Sequence, residues 1–368
     1  MNVHSTNAWK DAVLDRMKFT NIPDAYQAPA HDTVLFVGEE IVLNTLRRKY
    51  AEFPQKYSPL RKNLVVVRRT ASMGLGAFAK RRFKVGDTVV RERPFLIAPV
   101  DIQNDPSLVG RKFNPVIGSR FLGEILKSVE RRFLPSNRTG FPDLSTDYSL
   151  NPITDISKDI FQSLYVLSCN SFKLSEQDVA LCGVYKDYRV VPRVASRINH
   201  GCAPNVVYHF DEATFTFNMV ATRDIKAGEE ILTMYCGLEV PKAERHRNLL
   251  PYGIDPCRCR ACGTTNQIYS DRRRKSIRSF DMIGAKNLPP RDALKELARL
   301  VNLIEKEKLH FLDSYAVALH WMAYFWGKVN QKAISQKKLR RQKFTLISKE
   351  RHILNGFSIE PLLQIDHS

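Results

Sequence analysis

Three of the seven cysteines crowd into the stretch Cys257-Arg-Cys259-Arg-Ala-Cys262. Thiols at this spacing can converge on one metal ion, and structural zinc takes four ligands in a tetrahedron. Three clustered thiols therefore imply a fourth from elsewhere in the chain. Cys202 is the natural candidate, because it sits in the turn-like segment INHGCAPN (198–205) beside the pair Asn199-His200. Cys236 is the rival; it directly follows Tyr235 at the end of an expected strand, where burial is its simpler explanation. Two more features could do chemistry: the glycine pair Gly74-Leu75-Gly76, and Tyr235 closing the run ILTMY. Taken singly, each has an ordinary reading. A Gly-x-Gly after a strand is usually a tight turn, since glycine tolerates positive φ, and a tyrosine ending a strand is usually packing.

These groups need a scaffold. LVVVRRT (64–70) is filled with β-branched residues and is expected as a strand, followed by TVVRE (88–92) and PFLIAPV (94–100), with Gly86-Asp87 and Pro94 as breaks. A short strand at 33–37 and a helix over 39–53 are expected upstream. Residues 101–192 read as helical, with FQSLYVLSCNSF (161–172) apolar enough for a buried helix. NVVYHF and ATFTFNMVATR alternate as half-buried strands do, and ILTMYCG (231–237) is expected as a last strand. Beyond the cysteines the chain turns helical. Leu294, Leu297, Val301 and Ile304 mark one apolar helix face; a second helix over 311–326 is apolar nearly all round and expected to be buried; a third carries KKLRRQK (337–343).

Composition sets the class. Hydrophobic residues make up 43% and charged ones 26%, as in ordinary globular proteins. No apolar run reaches the length of a membrane helix, and the first residues lack the basic-then-apolar layout of an export signal. An intracellular protein is expected, and the odd cysteine count there argues against a disulfide framework. The formal charge is +19, and from Asn266 onward 20 Lys/Arg face 10 Asp/Glu. That excess suggests an acidic partner such as a nucleosome, or a surface that simply keeps the protein soluble.

The order SMGLGAFA, CNSF, SRINHGCAPN, RDIKAGEEILTMY and CRCRACG resembles SET-domain protein-lysine methyltransferases. The nearest pattern is the SET–MYND (SMYD)-like branch in the form that lacks the MYND finger, as in fungal SET-domain proteins. No cysteine or histidine lies between Gly76 and Cys169 that could build that finger. The resemblance implies an α+β fold: a SET-domain β-fold with a pseudoknot, in which the strand carrying Tyr235 passes a loop made by the Asn199-His200 segment. It divides the chain into an N-terminal extension (1–62), the SET domain (63–240, with a helical insertion at about 101–192), a zinc-binding post-SET segment (241–265) and a C-terminal α-helical region (266–368).

It also implies a cofactor, S-adenosylmethionine. Backbone around Met73, Gly74, Leu75 and Gly76 would hold its methionine end, with the glycines allowing close approach. Asn170, Ser196, Asn199, His200 and Tyr235 would contact it, and Tyr252 and Ile254 would lie beside the adenine. Structural zinc would be held by Cys202, Cys257, Cys259 and Cys262. The implied reaction is methyl transfer to the ε-amine of a lysine in a protein substrate, a histone or another. The sulfonium is already activated, so the work is alignment and keeping the amine, ordinarily of pKa about 10.4, unprotonated in an apolar channel. Tyr235 would be the catalytic residue, orienting the amine through its hydroxyl. A domain of this type without catalysis would instead be a scaffold on chromatin or another acidic partner, and a non-protein methyl acceptor is a further alternative. The protein is expected to be a monomer away from membranes, nuclear and/or cytoplasmic.

Overall fold

The computed structural model describes residues 8–24, 32–58, 60, 64–70, 73–99, 125, 128–129, 131–134, 170–174, 183, 185, 188–263 and 266–329. The expected helix at 161–172, Cys169, Cys182 and the KKLRRQK run lie outside these, apart from the end of the first. The chain divides into two compact units. The first comprises Met1–Lys62, Val90–Arg197 and His209–Asn218; the second comprises Asn63–Val89, Ile198–Tyr208 and Met219–Ser368.

The first unit is organised by a five-stranded sheet in the order Met17–Ile22, Val34–Glu39, Leu96–Pro99, Tyr188–Val191, Phe172–Leu174. All neighbours are antiparallel except the central pair, where Phe36 stands opposite Ile97 in parallel register. The run VLFVG is buried at every position, which suits a strand covered on both faces rather than an edge strand. Phe36 stacks on Tyr188 at 5.8 Å and meets Phe215 edge-on at 6.1 Å. The following helix, Glu40–Lys49, buries Val42, Leu43 and Leu46 at a helical spacing. A buried polar network closes the unit. The Arg93 guanidinium donates to Asp32 Oδ2 at 2.8 Å and to Thr214 O. The Glu92 carboxylate accepts the N–H groups of Val194 and Ala195 at 2.9 Å. Those two donors open the 3-10 turn Ala195–Arg197, so Glu92 fixes the turn that carries Ser196.

The second unit begins with the antiparallel pair Val65–Arg69 and Leu75–Ala79, with Arg69 opposite Leu75. The second of these strands was not anticipated, because its glycines depress strand propensity; it forms because residues 228–231 continue the ladder, with Ile231 N donating to Ala77 O at 2.8 Å and Ala79 N to Glu229 O at 2.9 Å. The unit's later described residues form the helices Lys242–Leu249, Gln267–Arg278, Met282–Lys286, Pro290–Glu307 and Asp313–Val329. Leu297, Leu300 and Ile304 of the fourth are fully buried, each contributing about 2 kcal/mol of apolar burial. They share one core with Leu249, Ile277, Phe325 and the four cysteines of the candidate metal site.

Three local expectations are corrected. Within the stretch 101–192 expected to be helical, Phe172–Leu174 and Tyr188–Val191 are strands, since each pairs in the first unit's sheet. The helix Asp313–Val329 is not buried all round: it buries Ala318, Leu319 and Phe325, while Trp326 is 48% exposed. It packs along Pro290–Glu307 and touches Met282–Lys286, and its aromatics also pack on each other, Trp321 against Tyr324 at 5.3 Å and Phe325 at 5.8 Å. The expected strand at 231–237 shrinks to Leu232–Thr233. Its ladder stops because the N–H of Tyr235 is taken by a side chain, Nδ1 of His200.

Candidate active site and metal centre

The segment 198–205 grips the short strand Leu232–Thr233 at both its ends. On one side Leu232 and Thr233 pair in parallel with Asn199 and His200, and Gly201 N donates to Thr233 O at 2.8 Å. On the other, Asn205 N donates to Leu232 O at 3.0 Å. The Asn205 side chain completes the clamp, donating through Nδ2 to Glu230 O and accepting at Oδ1 from Leu232 N, both at 2.8 Å. Asn205 is fully buried, so its amide substitutes for the ladder partner that this strand lacks.

Asn199 looks toward the glycine turn. Its Nδ2 donates to Leu75 O and to Glu230 Oε1, each at 3.0 Å. Gly74 has φ +65° with open space around it, whereas a Cβ on Gly76 would fall within 2.8 Å of Glu230 Oε1, Thr70 Cγ2 and Asn199 Nδ2. Gly76 is therefore small so that Asn199 and Glu230 can meet beside it. Thr70 shapes the turn, accepting at Oγ1 from Met73 N at 2.8 Å.

His200 links this centre to the cysteines. Burial drives its imidazole down to about 4, so it is neutral near pH 7. Nδ1 accepts from Tyr235 N at 3.1 Å, which places the ring hydrogen on Nε2, 3.2 Å from Cys202 Sγ. Tyr235 is held in turn. Its hydroxyl donates to Ile198 O at 2.8 Å, and its ring lies 5.6 Å from His200 and 5.0 Å from Tyr252. With its proton committed to Ile198, the Tyr235 oxygen acts as an acceptor toward any further donor.

The sulfurs of Cys202, Cys257, Cys259 and Cys262 lie within 4.8 Å of one another, all four residues buried. Cys202 and Cys262 are 3.5 Å apart. Zinc–sulfur bonds of about 2.3 Å in a tetrahedron set the sulfurs roughly 3.8 Å apart, so this constellation fits zinc. Hydrogen bonds among the thiols push Cys202 up and hold Cys262 below the ordinary thiol range, and Cys259 down to about 6. Thiolate is the form a metal requires. Cys236 is not among the four; its sulfur is 4.0 Å from Arg245 O.

Among the residues expected at a cofactor, Met73, Gly74, Leu75, Gly76, Asn199, His200, Tyr235, Tyr252 and Ile254 belong to the second unit, and Asn170 and Ser196 to the first. The latter two meet each other, Ser196 Oγ lying 2.7 Å from Asn170 O and equally close to Pro192 O. Sequence reasoning passed over Asn205, Glu230 and the buried arginines 245 and 274. The first two had a signal, since they stand inside the quoted runs INHGCAPN and IKAGEE. The arginines had none, being two among 57 basic residues.

This arrangement has a counterpart in known proteins: the SET domain family model matches residues 74–236. Residues 74–236 are thus similar to a SET domain. Proteins similar over this region include histone-lysine N-methyltransferase set5 of Schizosaccharomyces pombe, 36% identical over 121 residues, or 32% of this chain and 38% of that protein. Human N-lysine methyltransferase SMYD2 is 28% identical over 141 residues, 38% of this chain and 29% of that protein. The matches thus span well under half the length of these relatives. A crystal structure of the SET domain of LSMT bound to lysine and AdoHcy aligns over 89% of this chain and 85% of that one, at 14% identity and a TM-score of 0.28.

Proposed function

We propose that this chain is a protein-lysine N-methyltransferase that uses S-adenosylmethionine and carries one structural zinc. The observation that supports this most is the joint placement of Asn199, His200 and Tyr235 around one short strand, inside a domain shared with proteins named as lysine methyltransferases. When bound, the cofactor supplies a methyl group on a sulfonium. The chain's own residues do the rest. Backbone from Met73 to Gly76, with Asn199 anchored on Leu75 O, forms the polar rim for the methionine end; Tyr252 and Ile254 offer apolar surface to the adenine. Asn170 and Ser196 are assigned to the cofactor by the resemblance alone. Tyr235, whose hydroxyl proton is engaged by Ile198 O, presents an acceptor that orients the N–H of an incoming amine. Cys202, Cys257, Cys259 and Cys262 hold zinc, which through Cys202 braces His200.

The acceptor is a lysine of a histone or another protein, and the basic region from Asn266 onward docks an acidic partner, a nucleosome being one such surface. These functions fit a nuclear or cytoplasmic protein; among the described residues no helix is long and apolar enough to cross a membrane. The test has two steps: calorimetric titration of the purified chain with S-adenosylmethionine, then methyl transfer from labelled cofactor into a cell extract read by mass spectrometry. Binding followed by methyl-lysine on defined proteins is expected. Binding without transfer would leave a silent scaffold, and no binding would remove the enzyme reading.

A further inference from the structure

Among the described residues, Arg245 and Arg274 are the two largest side chains that are fully buried. Buried guanidinium groups are strongly unfavourable unless an anion accompanies them, and the anions in view do not suffice. Arg274 donates through Nη2 to Cys202 O at 2.9 Å, through Nη1 to Leu238 O at 2.5 Å, and through Nε to Glu307 Oε2 at 2.9 Å. Among the described residues Glu307 is the one carboxylate bonded to it, and that carboxylate is shared with Arg273 Nε at 2.6 Å and Ser270 Oγ at 2.7 Å. Arg245 is poorer still. Its Nη1 donates to Val240 O at 2.5 Å and stands 3.7 Å from Asp271 Oδ1, which also accepts from Lys242 N. Its Nε and Nη2 have no hydrogen-bond acceptor among the described residues.

The two arginines act on the same neighbours. The Arg245 guanidinium faces the Cys202 and Cys262 side chains, and Arg274 faces Cys202 and Arg245. Two like charges would not be stable side by side in an apolar core without a common counter-charge. Four thiolates around one divalent zinc leave a dianion in that core, and Lys242 Nζ adds a cation at its rim, 2.9 Å from Cys262 O.

Resting on the zinc reading above, we propose that Arg245 and Arg274 are the resident counter-charges of the zinc–thiolate cluster and set its affinity for the metal. Each comes from a different helix, Lys242–Leu249 and Gln267–Arg278. The C-terminal helices thereby become part of the metal site, although they contribute no ligand. They are positioning residues: their charge acts on the sulfurs, and neither touches a reacting atom.

The experiment measures zinc affinity of the full chain by competition with a chromophoric chelator, for the parent and for Arg245→Met, Arg274→Met, Arg245→Lys and Asp271→Asn. Groups that support metal ligands from outside typically contribute 10- to 100-fold in affinity. Each methionine variant, close in length but uncharged, is expected to weaken zinc by that factor, and Arg245→Lys to recover most of the loss. Asp271→Asn removes an anion that competes for Arg245 and is expected to tighten zinc severalfold. General loosening of the fold could not produce that opposite sign, and Asp271→Asn decides the matter if a methionine variant does not fold. A parent that binds no zinc overturns the metal reading and this inference together. A parent that binds zinc, with methionine and asparagine variants that bind it equally well, overturns this inference alone.

Discussion

Replacing Asn205 by alanine tests the clamp on which the site depends. The substitution removes the amide that joins Glu230 O and Leu232 N at 2.8 Å each. Both backbone groups would then be buried without partners, at about 1–3 kcal/mol apiece, so the expected loss is about 4 kcal/mol. That is a large part of the roughly 5–15 kcal/mol by which domains are stable. Urea unfolding followed by far-UV circular dichroism gives the number, as the shift in midpoint at unchanged slope. Asn205→Asp separates the two bonds. The new carboxylate can still accept from Leu232 N but cannot donate to Glu230 O, and its position is fully buried. Burial raises its folded pKa above the unfolded value of about 3.9, so its penalty is absent below that value and grows as pH rises toward the folded pKa. The stability gap between parent and Asn205→Asp should therefore be smaller at pH 5.5 than at pH 8. A loss under 1 kcal/mol in Asn205→Ala, or a gap independent of pH in Asn205→Asp, would show that the strand Leu232–Thr233 is held by its backbone pairing alone.

Other perturbations reach the chemistry and the metal. Tyr235→Phe should lower turnover roughly 100-fold, since an interaction made in the transition state is lost, while S-adenosylmethionine affinity measured by calorimetry changes little; equal turnover removes Tyr235 from the mechanism. His200→Ala should lose cofactor binding and stability together, because the ring joins Tyr235 N to Cys202 Sγ. By metal analysis the parent should carry one zinc per chain and Cys259→Ser none, with the segment after residue 240 exposed to protease; zinc retained at full stoichiometry would argue against the four-thiolate set. Gly76→Ala should weaken cofactor binding by forcing Glu230 and Asn199 apart, and unaltered binding would count against the role given to that turn. Charge reversal at Lys337, Lys338, Arg340 and Arg341 should weaken binding to an acidic partner and flatten its salt dependence; an unchanged salt slope would mark that run as a solvated face.

Much of the site was legible in the order of residues along the chain. CRCRAC announces convergent thiols through local spacing, and INHGCAPN followed by ILTMY places an amide, an imidazole and a phenol in an order that resembles the SET domain pattern. Local periodicity also located most strands and the helix Pro290–Glu307, because burial of one face repeats within a few residues. Only tertiary structure decided between Cys202 and Cys236, since the distance between sulfurs more than 50 positions apart depends on how the intervening chain returns. It alone joined Met17–Ile22 and Val34–Glu39 to Leu96–Pro99 in one sheet, a long-range pairing that no local pattern encodes. It alone separated Arg245 and Arg274 from the basic surface. An arginine's type predicts a solvated charge, and its burial depends on counter-charges assembled from segments far apart: Glu307, the four cysteines and the metal they fit.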